Sequence, residues 1–170
     1  MVARGSDSVV NCFTSQLSFT TFEESTFSFL IRKIKIKYFT RVVLNILQGW
    51  FYKEDADHVL LNCCVATLVW QKVCNWCKIP VGRFGNINEL LNSHLILNLS
   101  KFKTKVLQTI IVATCWEIWR ARNALIFSGE RARIEKIFGD LQLVSFTWVK
   151  NRGKRHNMEW RNWISFNINE

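Results

Sequence analysis

Two pairs of side chains in this sequence have the types and the spacing of metal ligands. His58 and Cys63 form an H-x4-C pair, and imidazole nitrogen and thiolate sulfur are ligands that suit zinc. Cys74 and Cys77 form a C-x2-C pair, the usual other half of a tetrahedral zinc site. This second pair, however, lies in an apolar pattern with helical spacing, which favours buried core thiols over zinc ligands or a redox pair.

A second set of residues that could do chemistry is basic and lies near the C-terminus. Its members are Lys150, Arg152, Lys154, Arg155 and Arg161. Ammonium and guanidinium groups neutralise phosphates, and the neighbouring Trp160 and Trp163 could stack on bases if they are exposed. The alternative is a solvated helix end with both tryptophans folded back onto the core. Close grouping with the lysines of residues 101–105 would favour the nucleic-acid interface, and scattering would favour the alternative.

The whole chain of 170 residues is basic, with 23 Lys and Arg against 13 Asp and Glu and a net charge of +10. This charge favours anionic partners. The N-terminal segment MVARGSDSVVNCF lacks the apolar stretch of a secretory signal, and the longest apolar run is far below the ~20 residues of a membrane span. We therefore expect an intracellular protein, nuclear or cytoplasmic, with no membrane partner and with its six cysteines reduced.

No enzyme signature occurs in the sequence. It has no G-x4-G-K-[ST] or G-x-G-x-x-G phosphate loop, no H-E-x-x-H zinc helix and no G-x-S-x-G nucleophile turn. No pair of aspartates lies on a tight strand turn, where a polymerase would hold two metal ions. These observations predict that the chain is not an enzyme.

The elements that must position these residues are mostly helices. Apolar residues recur at helical spacing in four segments, which are Asp55 to Cys77, Asn86 to Leu97, Ser100 to Ser128 and Arg131 to Lys150. Asp55 and Asp57 can cap the first of these helices, and Ser100 can cap the third. Residues 31–39 instead alternate Ile or Tyr with Lys, which is typical of a strand.

The pattern therefore predicts a mainly α protein. It consists of a small helical domain of about four helices over residues 54–170 and an N-terminal extension, poorly ordered or partly β, over residues 1–53. The core is expected to contain Trp70, Trp76, Ile110, Trp116, Trp119, Phe138 and Trp148.

Three stretches of the sequence together resemble a known family. Residues 54–63, EDADHVLLNC, and the later Val69-Trp70 are similar to the second half of the zinc-binding domain that follows reverse transcriptase in plant LINE-type, or non-LTR, retrotransposons. Residues 76–80, WCKIP, match the continuation of that pattern. Residues 115–127, CWEIWRARNALIF, resemble its downstream W-x-I-W-x-x-R-N-x-x-I-F signature. The closing segments SFTWVKNR and WRNW fit as well.

By this resemblance, His58 and Cys63 are the third and fourth ligands of a zinc site. Cys12 is then the first ligand, and residues 13–50 are an insertion within the motif. The second ligand position falls on Ser15, and a serine hydroxyl is a poor zinc ligand, so zinc is the implied cofactor of an incomplete site.

The family name implies RNA-directed DNA synthesis, but the polymerase palm and its aspartates are not found in this chain. The expected function is a non-catalytic remnant of a retrotransposon reverse-transcriptase polyprotein. It would be a zinc-binding-like module with non-specific affinity for nucleic acid. The alternative is a helical protein-interaction or structural domain with no nucleic-acid role.

Overall fold

The computed structural model describes the chain from residue 57 onward, apart from several short gaps. The described residues are 57–80, 85–87, 89–90, 92, 99–152 and 158–168. The N-terminal extension predicted over residues 1–53, with its strand at residues 31–39, lies outside them.

The regular elements of the described residues are helices, so the mainly α prediction is confirmed. They are a π-helical turn at His58–Asn62, α1 at Cys64–Cys77, α2 at Lys101–Ser128, α3 at Ile134–Arg152 and α4 at Trp160–Ile164. Of the helix predicted between residues 86 and 97, the described residues 87, 89, 90 and 92 are helical. α2 and α3 are joined by a short loop and pack more extensively against each other than any other pair of elements.

The prediction of one continuous helix from Asp55 to Cys77 is wrong, because the chain breaks at Cys63. The backbone of Cys63 is extended, with φ −69° and ψ 156°, and its Sγ accepts a hydrogen bond from the Ala66 N–H at 3.3 Å. Cys63 is thus the N-cap of α1 and satisfies one of the amides that a helix start leaves without a helical partner. Asp57 does not cap with its side chain, and its Oδ1 instead accepts from the Ile87 N–H at 2.9 Å.

The bounds of α2 follow the predicted signals. The Ser100 hydroxyl accepts from the Lys103 N–H at 3.4 Å, and Gly129 takes a left-handed backbone with φ 66° and donates its N–H to the Leu125 carbonyl. Residues 109–115 are all buried, so this part of α2 is covered on every side. The hydroxyls of Thr109 and Thr114 donate to the carbonyl four residues earlier, both at 2.8 Å, which satisfies these buried polar groups.

The predicted core is confirmed in part. Trp70 and Ile110 are buried, and the Trp70 Nε1–H donates to the Leu60 carbonyl at 2.7 Å. The other predicted members pack half-buried against that core; they are Trp76, Trp116, Trp119, Phe138 and Trp148. Among the described residues, the tryptophan with no exposed surface is Trp163 of α4, at 0% exposure, which is not one of the predicted core residues.

Candidate nucleic-acid interface

The site begins with Trp163, which anchors α4 to the helices beneath it. Its Nε1–H donates to the Gln142 carbonyl of α3 at 3.0 Å, and its ring centroid lies 5.9 Å from that of Phe146. From α1, the Trp76 Nε1–H is shared between the carbonyls of Trp163 at 3.1 Å and Ile164 at 2.9 Å. A helix of one turn cannot hold its own shape in water, so these contacts position α4.

The aromatic rings around this anchor form one connected cluster. Trp76 meets Phe138, Trp163 and Phe166 edge-on, with centroid separations of 5.9, 5.5 and 5.5 Å. Such edge-to-face pairs are favourable beyond the area that they bury. The cluster therefore holds the inner face of α4, which carries Trp163, and the segment that follows α4.

On the other side of α4, Trp160 and Lys150 both lie against the Phe146 ring of α3. Trp160 is 39% exposed, and its ring lies 5.2 Å from that of Phe146. The Lys150 Nζ lies 5.4 Å from the Phe146 centroid, which is cation–π distance. Arg161 follows Trp160 directly and is exposed. We refer to Lys150, Trp160 and Arg161 as the basic–aromatic surface.

Of the five basic residues singled out in the sequence, the structure describes the side chains of Lys150, which lies over the Phe146 ring, and Arg161, which is exposed on α4. Arg152 is the last residue of α3, two positions beyond Lys150, whereas Lys154 and Arg155 lie outside the described residues. Of the two tail tryptophans, Trp160 is exposed as base stacking requires. Trp163 is buried, which is the fold-back alternative and excludes it from stacking.

The predicted zinc ligands are in contrasting environments. His58 is exposed on the π-helical turn, whereas Cys63 is fully buried, and its Sγ–H donates to the Val59 carbonyl at 3.3 Å while the same sulfur caps α1. A zinc ligand is a thiolate, and these are the contacts of a protonated thiol. Within the part of the chain that the structure describes, no three His, Cys, Asp or Glu side chains gather as a metal site. The roles of His58, Cys63 and Cys12 as zinc ligands stay predictions, and Cys12 lies outside the described residues.

The C-x2-C pair belongs to the core, as its apolar pattern predicted. Cys74 and Cys77 are both 5% exposed. Burial raises the pKa of both thiols, and for Cys77 the neighbouring Cys74 raises it further. Because a reactive cysteine needs an accessible thiolate, this environment excludes the thiol-active function that the C-x2-C spacing left open.

A third buried thiol, that of Cys115, should make the protein less stable at alkaline pH. Burial raises the pKa of Cys115 from 9.0 to about 12. Above pH 9.0 the unfolded thiol loses its proton, while the folded one keeps it up to about 12, so the free energy of unfolding should fall over that range. Urea unfolding below and above pH 9.0 measures this decline in the free energy of unfolding. Cys115→Ala should show a shallower decline, and an unchanged slope would contradict the assignment.

The loop end of the α2–α3 pair carries a mixed charge network that the sequence analysis did not identify. Glu117 is 1% exposed, and its Oε2 lies 2.8 Å from Arg120 Nη2, which also lies 2.6 Å from Asp140 Oδ2. Arg120 thereby links α2 to α3. Arg122, also on α2, is 1% exposed. The i, i+3 spacing of Glu117 and Arg120 was the one available signal, and it is common on ordinary solvated helices.

Comparison of the chain with known proteins adds no relative: no family model, no curated protein and no solved structure matches it. Among the described helices, none is both long and apolar enough to cross a membrane.

Proposed function

We propose that residues 54–170 form a non-catalytic module that binds single-stranded nucleic acid without sequence preference, and that it derives from the zinc-binding region of a retrotransposon reverse-transcriptase polyprotein. The origin is supported by the ordered sequence resemblance. The binding is supported by one observation above all: the exposed Trp160 indole packs against the same Phe146 ring as Lys150, and the exposed Arg161 follows it on α4.

This arrangement matches what a flexible strand requires. An exposed indole offers a stacking platform to any base, and adjacent cations contact the phosphates on either side. The Trp160 ring is held by its contact with Phe146, so little conformational freedom is lost on stacking.

The charges of this surface are also available to a ligand. Neither Lys150 nor Arg161 forms an ion pair with a carboxylate of the described residues. By contrast, several cations elsewhere are paired, such as Arg120 with Asp140 and Lys136 with Glu130 at 3.0 Å. Such cations can neutralise phosphates and release their counterions without first breaking an ion pair, so binding should weaken steeply with salt.

The test is fluorescence anisotropy of a labelled single-stranded RNA of about ten nucleotides, titrated at several salt concentrations. The double variant Lys150→Gln/Arg161→Gln is expected to bind about tenfold more weakly, as the loss of about 1.4 kcal/mol implies. Its logarithmic salt slope should be smaller by about 1.4, since each phosphate contact on a single strand contributes about 0.7.

The matched control is Arg131→Gln/Arg133→Gln, which removes the same charge from two exposed residues of the loop just before α3. We expect this variant to retain most of the affinity. Equal loss of RNA affinity in both double variants would show that binding depends on the net charge of the chain and not on the basic–aromatic surface. Absence of binding, or affinity independent of salt, would favour the alternative of a helical protein-interaction domain.

A further inference from the structure

Apart from the basic–aromatic surface, a cleft lies between the end of α1, the start of α2 and the segment that follows α4. It has a volume of about 320 Å³ and is lined by described residues from all three elements. Its apolar walls include Ile79, Pro80, Leu99 and Phe166, and its cationic side chains are Lys78 and Lys103. The volume is at the lower end of the range of about 300–1,000 Å³ that is common for small-molecule sites.

We propose that this cleft binds one nucleotide unit, with its base against the apolar walls and its phosphate between Lys78 and Lys103. The assignment goes beyond the surface described above, and its choice of a nucleotide over other acidic, partly apolar ligands rests on the proposed function. The same chemistry is offered by a free mononucleotide and by one unit of a strand.

The charge of the lining selects an anion. Both lysines are exposed, and no residue that the structure describes in the lining is acidic. The backbone carbonyls at the end of α1 already accept hydrogen bonds and so compete less with an anion for the lysines. The Asn75 carbonyl accepts from the Lys78 N–H at 3.3 Å, and the Cys74 carbonyl accepts from the Ile79 N–H at 3.0 Å. Two ammonium groups, with no carboxylate among the described residues of the lining, fit a phosphate.

The apolar walls select a flat group beside that phosphate. Phe166 is half-buried, with its ring held 5.5 Å from that of Trp76, and Leu99 is 36% exposed. A base stacked on a fixed ring loses little entropy. An inorganic phosphate would use the lysines but leave these walls in contact with water.

Two residues of the lining hold a backbone conformation that is costly for them. Lys78 and Phe166 have φ of 55° and 51°, and they are the non-glycine residues with positive φ in the described part of the chain. Both end a helix, at a position where glycine is the usual residue. Lysine at this position adds a cationic side chain to the lining of the cleft, which glycine could not do.

Isothermal titration of the full chain with adenosine monophosphate tests the proposal, with ribose 5-phosphate as the ligand that lacks a base. We expect adenosine monophosphate to bind at least tenfold more tightly than ribose 5-phosphate. Lys103→Gln should weaken adenosine monophosphate about tenfold, because one charge-assisted contact is lost. Lys101→Gln, which removes an exposed lysine two residues away that does not line the cleft, should leave the affinity unchanged.

Lys78→Gly separates binding from stability. Because glycine favours the left-handed backbone, this variant should unfold at or above the wild-type temperature while it binds adenosine monophosphate about tenfold more weakly. A variant that keeps its affinity overturns the role of Lys78. Equal weakening by Lys101→Gln and Lys103→Gln, or equal affinity for the two phosphates, overturns the cleft as a nucleotide site.

The same experiments separate this proposal from the proposed function. RNA binding that depends on Lys150 and Arg161, without adenosine monophosphate binding, rejects the cleft and leaves the basic–aromatic surface in place. Adenosine monophosphate binding that depends on Lys103, with RNA binding indifferent to Lys150 and Arg161, rejects the surface and retains the cleft. Displacement of adenosine monophosphate by an acidic peptide of equal affinity rejects the nucleotide as the specific occupant.

Discussion

Trp163→Ala is expected to lower the free energy of unfolding by about 4 kcal/mol, within the range of about 3–5 kcal/mol for buried aromatic residues. Trp163 has 0% exposure and contacts Phe146 and Trp76, so its removal opens a cavity where α1, α3 and α4 meet. The substitution also removes the Nε1–H that donates a hydrogen bond to the Gln142 carbonyl. Urea unfolding followed by circular dichroism measures the loss.

Two companion variants make this result specific. Trp163→Phe keeps most of the ring volume but loses the bond to Gln142, so we expect a loss of about 1–2 kcal/mol. Trp160→Ala removes the same residue type from the exposed side of α4 and should cost less than about 1 kcal/mol. If Trp160→Ala and Trp163→Ala are equally destabilising, α4 is not anchored as described.

The same pair of tryptophans also separates stability from binding. Trp160→Ala should weaken RNA binding about tenfold, since stacking on one base contributes about 1–3 kcal/mol. Because Trp163 positions α4 but does not reach the surface, Trp163→Phe should bind RNA nearly as tightly as the wild type. Normal RNA affinity in Trp160→Ala would remove the main observation behind the proposed function.

Sequence reasoning identified the elements whose signals are local. The start of α2 at Ser100 and its end at Gly129 could be predicted, because a capping hydroxyl and a left-handed glycine act within one helical turn. The helical class followed from the apolar spacing for the same reason. Lys150 could be named as basic, but its contact with the Phe146 ring could not be predicted.

The features that were missed depend on contacts between distant segments. Trp163 lies in a helix of one turn whose position is set by α1 and α3, so its burial has no local signature. The break at Cys63 was missed because a thiol is a rare N-cap, and the surrounding apolar pattern continues across it. The αL ends at Lys78 and Phe166 were missed because neither residue is the glycine that usually marks them.

The second large effect is expected from removing the Cys63 thiol that caps α1. Cys63→Ala should lower the free energy of unfolding by about 2 kcal/mol, of which about 1 kcal/mol is the lost cap and the rest is the lost buried sulfur. Cys63→Ser should cost less, because serine is itself a good N-cap. His58→Ala should cost less than about 0.5 kcal/mol, since the imidazole is exposed.

These three variants distinguish a capping thiol from a zinc ligand. Two ligands of one structural zinc ion would make His58→Ala and Cys63→Ala similarly destabilising, and a chelator would lower the stability of the wild type by as much, since metal binding is coupled to folding. Cys63→Ser would then be no better than Cys63→Ala, because a hydroxyl is a poor ligand for zinc. If Cys63 is a capping thiol, the free energy of unfolding should increase from Cys63→Ala to Cys63→Ser to the wild type. His58→Ala and the chelator should then have almost no effect on stability. The unfolding curves with and without chelator, together with the zinc content of the purified wild type, therefore decide whether the histidine and the cysteine of the H-x4-C pair still act together.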